Sequence, residues 1–262
     1  MKSLCCIGLC FLLIGNGIAQ EWGYLTDLPD DVVKTMTEGY KNPKWLKESL
    51  MGYFAGDHIL WPEEIPLFMK KFDVSEDTLR TALMGIILEA AEITKWAPLR
   101  HDMQDELLSE KRRLMNAIRW LRFCADESAK EFLMEIAIDE TKGEVYRNMA
   151  VGAYIKSADA RQVKDGLIRF LTEKRVVVHS TYLYASVAYK EAGDDAAKRA
   201  AIVEALTAAA LVREEDRGHF AAADKEFAEV DAEYAKSPRR QAALQLLGLQ
   251  PEKKSFLKSL WR

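Results

Sequence analysis

The chain has 262 residues, of which 49% are hydrophobic and 30% charged, and its net charge is −4. A chain of this length buries roughly 70–75% of its unfolded surface, enough for a self-sufficient core in one domain. After the first nineteen residues no apolar run approaches the roughly 20 residues that a spanning helix needs, which excludes a multi-pass membrane class.

Lys2 precedes an unbroken apolar run over residues 4–14, and Gly17 and Ala19 place small residues three and one before a cut after Ala19. This is the pattern of a bacterial secretory signal peptide, so residues 1–19 are expected to be removed and the product exported to the periplasm or the cell exterior. Nucleic acid is not an expected partner in that compartment. Cys5, Cys6 and Cys10 would leave with the signal, and Cys124 would stay as a lone thiol beside Phe123 and Ala125, expected to be buried and inert.

The remaining sequence predicts helices at 30–40, 43–55, 63–72, 76–95, 103–124, 127–141, 144–157, 160–173, 177–192, 195–211, 213–235, 239–247 and 252–260. Asn42, Ser75, Asp126 and Ser237 sit where a short polar side chain can accept from the orphan amides of a first turn. Gly56, Gly143 and Gly193 are placed to end helices, since glycine enters the left-handed region at little cost. The run Val176, Val177, Val178 is too short to predict a strand. Prolines fall only before residue 99 and after residue 237, which leaves the middle free for uninterrupted helices.

These signals predict one all-α domain over 20–262, with aromatic-rich N-terminal helices at 20–98, helical repeats at 99–235 and a basic cap at 236–262. Two stretches about 34 residues apart read alike. Leu133, Met134, Ile136 and Ala137 followed by Met149, Ala150 and Ala153 are echoed by Leu167, Ile168, Phe170 and Leu171 followed by Leu183, Tyr184 and Val187. One period later Ile202, Ala205 and Leu206 fall near core positions, whereas 213–234 is longer and more acidic. A fixed period of this size marks supersecondary units that bury their apolar faces against neighbours.

The second helices carry Val145, Tyr146, Arg147, Ala150 and Ala153 in one copy and Ala185, Ala188, Ala192, Gly193 and Asp194 in the other. In this pattern the chain resembles the HEAT-like helical repeats over about residues 126–211, although Thr181 stands where the second copy would have arginine. The resemblance implies a short right-handed α-solenoid of antiparallel helix pairs with atypical capping helices at each end. It also implies a concave face that binds a protein or another ligand, and it brings no catalytic residues.

Tyr146, Tyr154, Tyr182 and Tyr189 lie on these second helices and are the candidate binding residues, because tyrosine joins an apolar body to a polar tip, with packing in the core as the alternative use of the set. Tyr182 and Tyr189 share a face two turns apart, and Tyr184 is expected to point into the core. In the first third, Trp22, Tyr24, Tyr40, Trp45, Tyr53, Phe54, Trp61, Phe68 and Phe72 are expected to fill a terminal core. Phe220, Phe227 and Tyr234 recur every seven residues, which fits an edge helix folded back over the stack.

No nucleophile motif, phosphate loop or Cys-x-x-Cys pair occurs, and no catalytic residue, metal or cofactor is expected. His101 with Asp105, and Glu215 with His219, are each one helical turn apart, a spacing common in charged helices. The C-terminal segment from Lys236 carries seven basic residues against Glu252 alone, which suits a solvated cap and allows weak contact with an anionic surface. The sequence thus favours an exported, non-catalytic interaction or scaffold protein with a protein or peptide partner. The alternatives are a small-ligand or glycan-binding module using Trp22, Trp45 or Trp61, and an all-α enzyme acting on glycans or peptides.

Overall fold

The computed structural model describes residues 28–54, 64–90, 105–174 and 178–249. The signal segment, Trp22, Tyr24, Trp61, His58, His101, Gly56, the other three cysteines and the helix expected at 252–260 lie outside these residues. Among the described residues all regular structure is helical, and no helix is long and apolar enough to cross a membrane. Contacts divide the chain into two compact units, Met1–Ser157 and Ala158–Arg262.

The first unit contains α1 (Asp30–Tyr40), α2 (Pro43–Phe54), α3 (Glu64–Lys71), α4 (Glu76–Glu89), α5 (Asp105–Leu121), α6 (Glu127–Ile138) and α7 (Glu144–Ser157). The expected caps form. Asn42 Oδ1 accepts from Lys44 N, Ser75 Oγ from Thr78 N, and Asp126 Oδ1 from Ala129 N, each satisfying an amide that the first turn leaves open. Gly143 serves the start of α7 rather than the end of α6, since its carbonyl accepts from Tyr146 N and Arg147 N.

Helix α2 packs on α4 and α5, α5 on α7, and α6 on α7. Arg80 of α4 reaches the α5–α6 junction, donating Nη1 to the Cys124 carbonyl at 3.1 Å and pairing with Asp126 and Asp77. Arg113 of α5 donates to the Met51 carbonyl at the far end of α2, at 2.8 Å. Of the N-terminal aromatics among the described residues, four lie in this unit's core and Trp45 and Tyr53 are half-buried. Tyr40, Phe54, Phe68 and Phe72 are buried, and Trp120 of α5 gathers them through edge contacts with Phe54 at 5.0 Å and Phe68 at 6.0 Å between ring centres. Trp45 is half-buried and its ring lies over Gly39, where a Cβ would collide with it. Cys124 is buried, its thiol pushed up to about 12 chiefly by desolvation.

The second unit contains α8 (Ala160–Ile168), α9 (Val178–Glu191), α10 (Ala196–Val212), α11 (Arg217–Val230), α12 (Ala232–Lys236) and α13 (Pro238–Leu246). A capping box opens α8, with Asp159 and Gln162 exchanging side-chain and backbone bonds. The helix expected over 160–173 widens into a π-helical turn at Arg169–Glu173, where Lys174 N bonds to the Arg169 carbonyl and Thr172 Oγ1 bonds back to Ile168 O at 2.6 Å. Helix α9 ends on Gly193 at φ +53°, the left-handed geometry expected there.

Helix α10 packs on α8, and α11 on α9. Both pairings run in the same direction. At the start of α10, Lys198 Nζ donates to the Ala158 carbonyl just before α8, and in mid-helix Lys164 pairs with Glu204 at 3.0 Å. His179 near the start of α9 faces His219 near the start of α11, whereas Lys190 near the end of α9 pairs with Glu226 at 2.8 Å. These contacts join residues 36 to 40 positions apart. Ile202, Ala205 and Leu206 are buried, as expected.

The segment expected as a single helix at 213–235 is divided. A 3-10 turn at Glu214–Asp216 precedes α11, and Asp231 separates α11 from α12. The break has a local cause, because Asp231 Oδ1 accepts from Glu233 N and Tyr234 N and starts a new helix. Phe220, Phe227 and Tyr234 are all buried, so this segment is folded against its own unit.

Candidate functional site

The four candidate tyrosines are not an exposed row. Tyr146, Tyr154, Tyr182 and Tyr189 have relative exposures of 1%, 7%, 3% and 1%. Tyr146 and Tyr154 belong to the first unit, and burial raises the pKa of Tyr146. Tyr182 and Tyr189 do share a face of α9, but α11 covers it. Tyr182 stacks on His219 at 5.5 Å and Tyr189 on Phe227 at 4.1 Å between ring centres. Tyr184, expected in the core, is half-buried, and Leu183 is 50% exposed. The spaced alanines Ala150 and Ala153 in α7 and Ala185 and Ala188 in α9 are buried.

Polar chemistry in the second unit is concentrated along α9 and α11. At the C-terminal end of this seam, Asp231 Oδ2 accepts from Tyr189 Oη at 2.9 Å and from Arg199 Nη1 at 2.7 Å. The Arg199 guanidinium also lies 5.1 Å from the centre of the Tyr189 ring. The amide of Tyr234 first, and then Tyr189 and Arg199, hold the Asp231 carboxyl below its ordinary pKa. Burial, together with the Asp231 carboxylate, raises the Tyr189 hydroxyl.

Beside the part-buried Asp231 carboxylate, Asp224 of α11 is buried. Asp224 receives Arg240 Nε at 2.9 Å and Nη2 at 2.8 Å, with the Tyr234 hydroxyl at 3.0 Å. The pair is bidentate, and Arg240 also donates to the Ala235 carbonyl, which ties α13 to α11 and α12. Both carboxylates are saturated by donors. Their arrangement holds helix ends together and leaves no lone pair set aimed at a substrate proton.

At the N-terminal end of the seam, His179 and His219 face each other with ring centres 5.6 Å apart, the first exposed and the second half-buried. Sequence spacing pairs His219 with Glu215. The fold instead sets it against a histidine of another helix, a contact that only the parallel packing of α9 and α11 creates. Among the described residues no group of three or more His, Cys, Asp and Glu side chains is arranged to hold a metal ion.

On α9, His179, Leu183 and Lys190 reach solvent. No protein-family model matches the chain, and no curated protein or solved structure matches it.

Proposed function

We propose that the chain is an exported, non-catalytic interaction scaffold, a short HEAT-like right-handed stack of antiparallel helix pairs that presents its second helices to a protein or peptide partner. The observation that carries this reading is the same-direction packing of α8 on α10 and α9 on α11, with contacts 36 to 40 residues apart. That spacing approaches the roughly 40–47 residues of HEAT and armadillo units and exceeds the 34 or so of tetratricopeptide units. The turn between α6 and α7, where Arg147 Nε donates to the Ala137 carbonyl at 3.0 Å, suits a paired helical hairpin in the first unit. Stacked pairs whose inward carboxylates, Asp224 and Asp231, are saturated by donors favour binding over catalysis.

Leu183, half-exposed on α9, marks the face proposed to meet the partner. A photoreactive residue at position 183, activated in the producing cells, should give a discrete protein adduct. The same probe at Arg161 on α8, where the side chain is 91% exposed, should give none. Identical adducts from both positions, or no adduct from position 183, would overturn the assignment. Export rests on residues 1–19, and a mature chain that starts at Gln20 is the expected result of N-terminal sequencing.

A further inference from the structure

We infer that His179 and His219 form a two-imidazole site for a borderline divalent transition ion such as Cu2+ or Zn2+, with water completing the coordination. Two imidazoles bound to one ion through nitrogens at about 2.1 Å place their ring centres roughly 5–6 Å apart. The observed separation is 5.6 Å, with the ring planes inclined by 57°. An ion between these rings needs only rotation of the exposed His179 side chain, because the two helices already run side by side.

The surroundings favour this use. His219 is stacked on the ring of Tyr182, which is 3% exposed and so fixes the imidazole plane. His179 is exposed and leaves the site open to solvent for ion entry. Among the described residues neither imidazole has a hydrogen bond or an ion pair. Their nitrogens are therefore not engaged by the packed interior, unlike the carboxylates of Asp224 and Asp231. Imidazole nitrogen suits copper and zinc better than calcium or magnesium, and the usual order of divalent affinities places copper ahead of zinc. An ion held there would pin the start of α9 to the start of α11.

The test is a calorimetric titration of the untagged full chain with CuCl2 and with ZnCl2, alongside a metal-free thermal melt of every variant. The chain has four histidines, which makes the comparison complete. The expected result is one ion per chain and a raised melting temperature in the metal-loaded protein. His179→Ala and His219→Phe should each lower the affinity by more than about tenfold, whereas the double variant His58→Ala, His101→Ala should retain it. His219→Phe keeps a ring against Tyr182 and preserves the packing, and His179 is exposed, so its removal tests the site even if the other variant fails to fold. Absence of saturable binding, or binding that persists in His179→Ala, would overturn the inference.

Discussion

Tyr189 and Asp231, 42 residues apart, are joined by a 2.9 Å hydrogen bond at the point where a long helical segment breaks in two. The same carboxylate caps α12 and receives Arg199, so one side chain fixes the end of α9, the start of α10 and the start of α12. Asp231→Ala removes the cap and strands both donors, and should cost about 2–4 kcal/mol in urea unfolding. Asp231→Asn keeps an amide oxygen for the cap and should cost about half as much.

The acid dependence of stability follows from the same residue. Its folded pKa lies below the unfolded value of about 3.9. Its contribution is present above that value and is lost as pH falls through the folded pKa. Unfolding free energy measured from about pH 5 down to about pH 2 should therefore fall less steeply in Asp231→Asn than in the natural chain.

Asp224 is the costlier loss. Its side chain is 6% exposed and that of its partner Arg240 16%, and removing one member of a buried pair leaves the other uncompensated. Asp224→Ala should destabilise by about 3–5 kcal/mol, and Tyr234→Phe by about 1 kcal/mol, since it removes one hydroxyl and leaves the pair intact. Equal effects from the two substitutions, measured by urea unfolding, would contradict this ranking.

Cys124 should resist alkylation. With its thiol pushed up to about 12 and the side chain buried, almost no thiolate exists at pH 8. Iodoacetamide should label it only in denaturant, as read by intact mass.

The helix positions were legible in the sequence because local signals set them. Asn42, Ser75, Asp126 and Ser237 all cap as their residue types and spacing imply. The break at Asp231 carried the same kind of signal, an aspartate before a new first turn, but helical periodicity continued across it and hid the stop. The direction of the tyrosines was not legible. Tyr182 and Tyr189 share a face by spacing alone, and tyrosine suits both a wet groove and a packed seam. What decides is the arrival of α11 against that face, a contact between residues some 37 to 38 positions apart. The exposure of Leu183 is the counterpart, since a leucine beside a buried tyrosine on a helix must point elsewhere. The contact of His179 with His219 was hidden for the same reason, being a product of register between helices.

The same-direction packing of α9 and α11 is the claim on which the repeat reading stands, and paired cysteines test it directly. In the double variant Lys190→Cys, Glu226→Cys, a short bismaleimide should link the two thiols efficiently, because the natural side chains meet at 2.8 Å. In Lys190→Cys, Gly218→Cys the second thiol lies at the opposite end of α11 and should not be linked. Efficient linkage of the 190–218 pair with none at 190–226 would mean that the helices run in opposite directions, and would contradict the repeated pair.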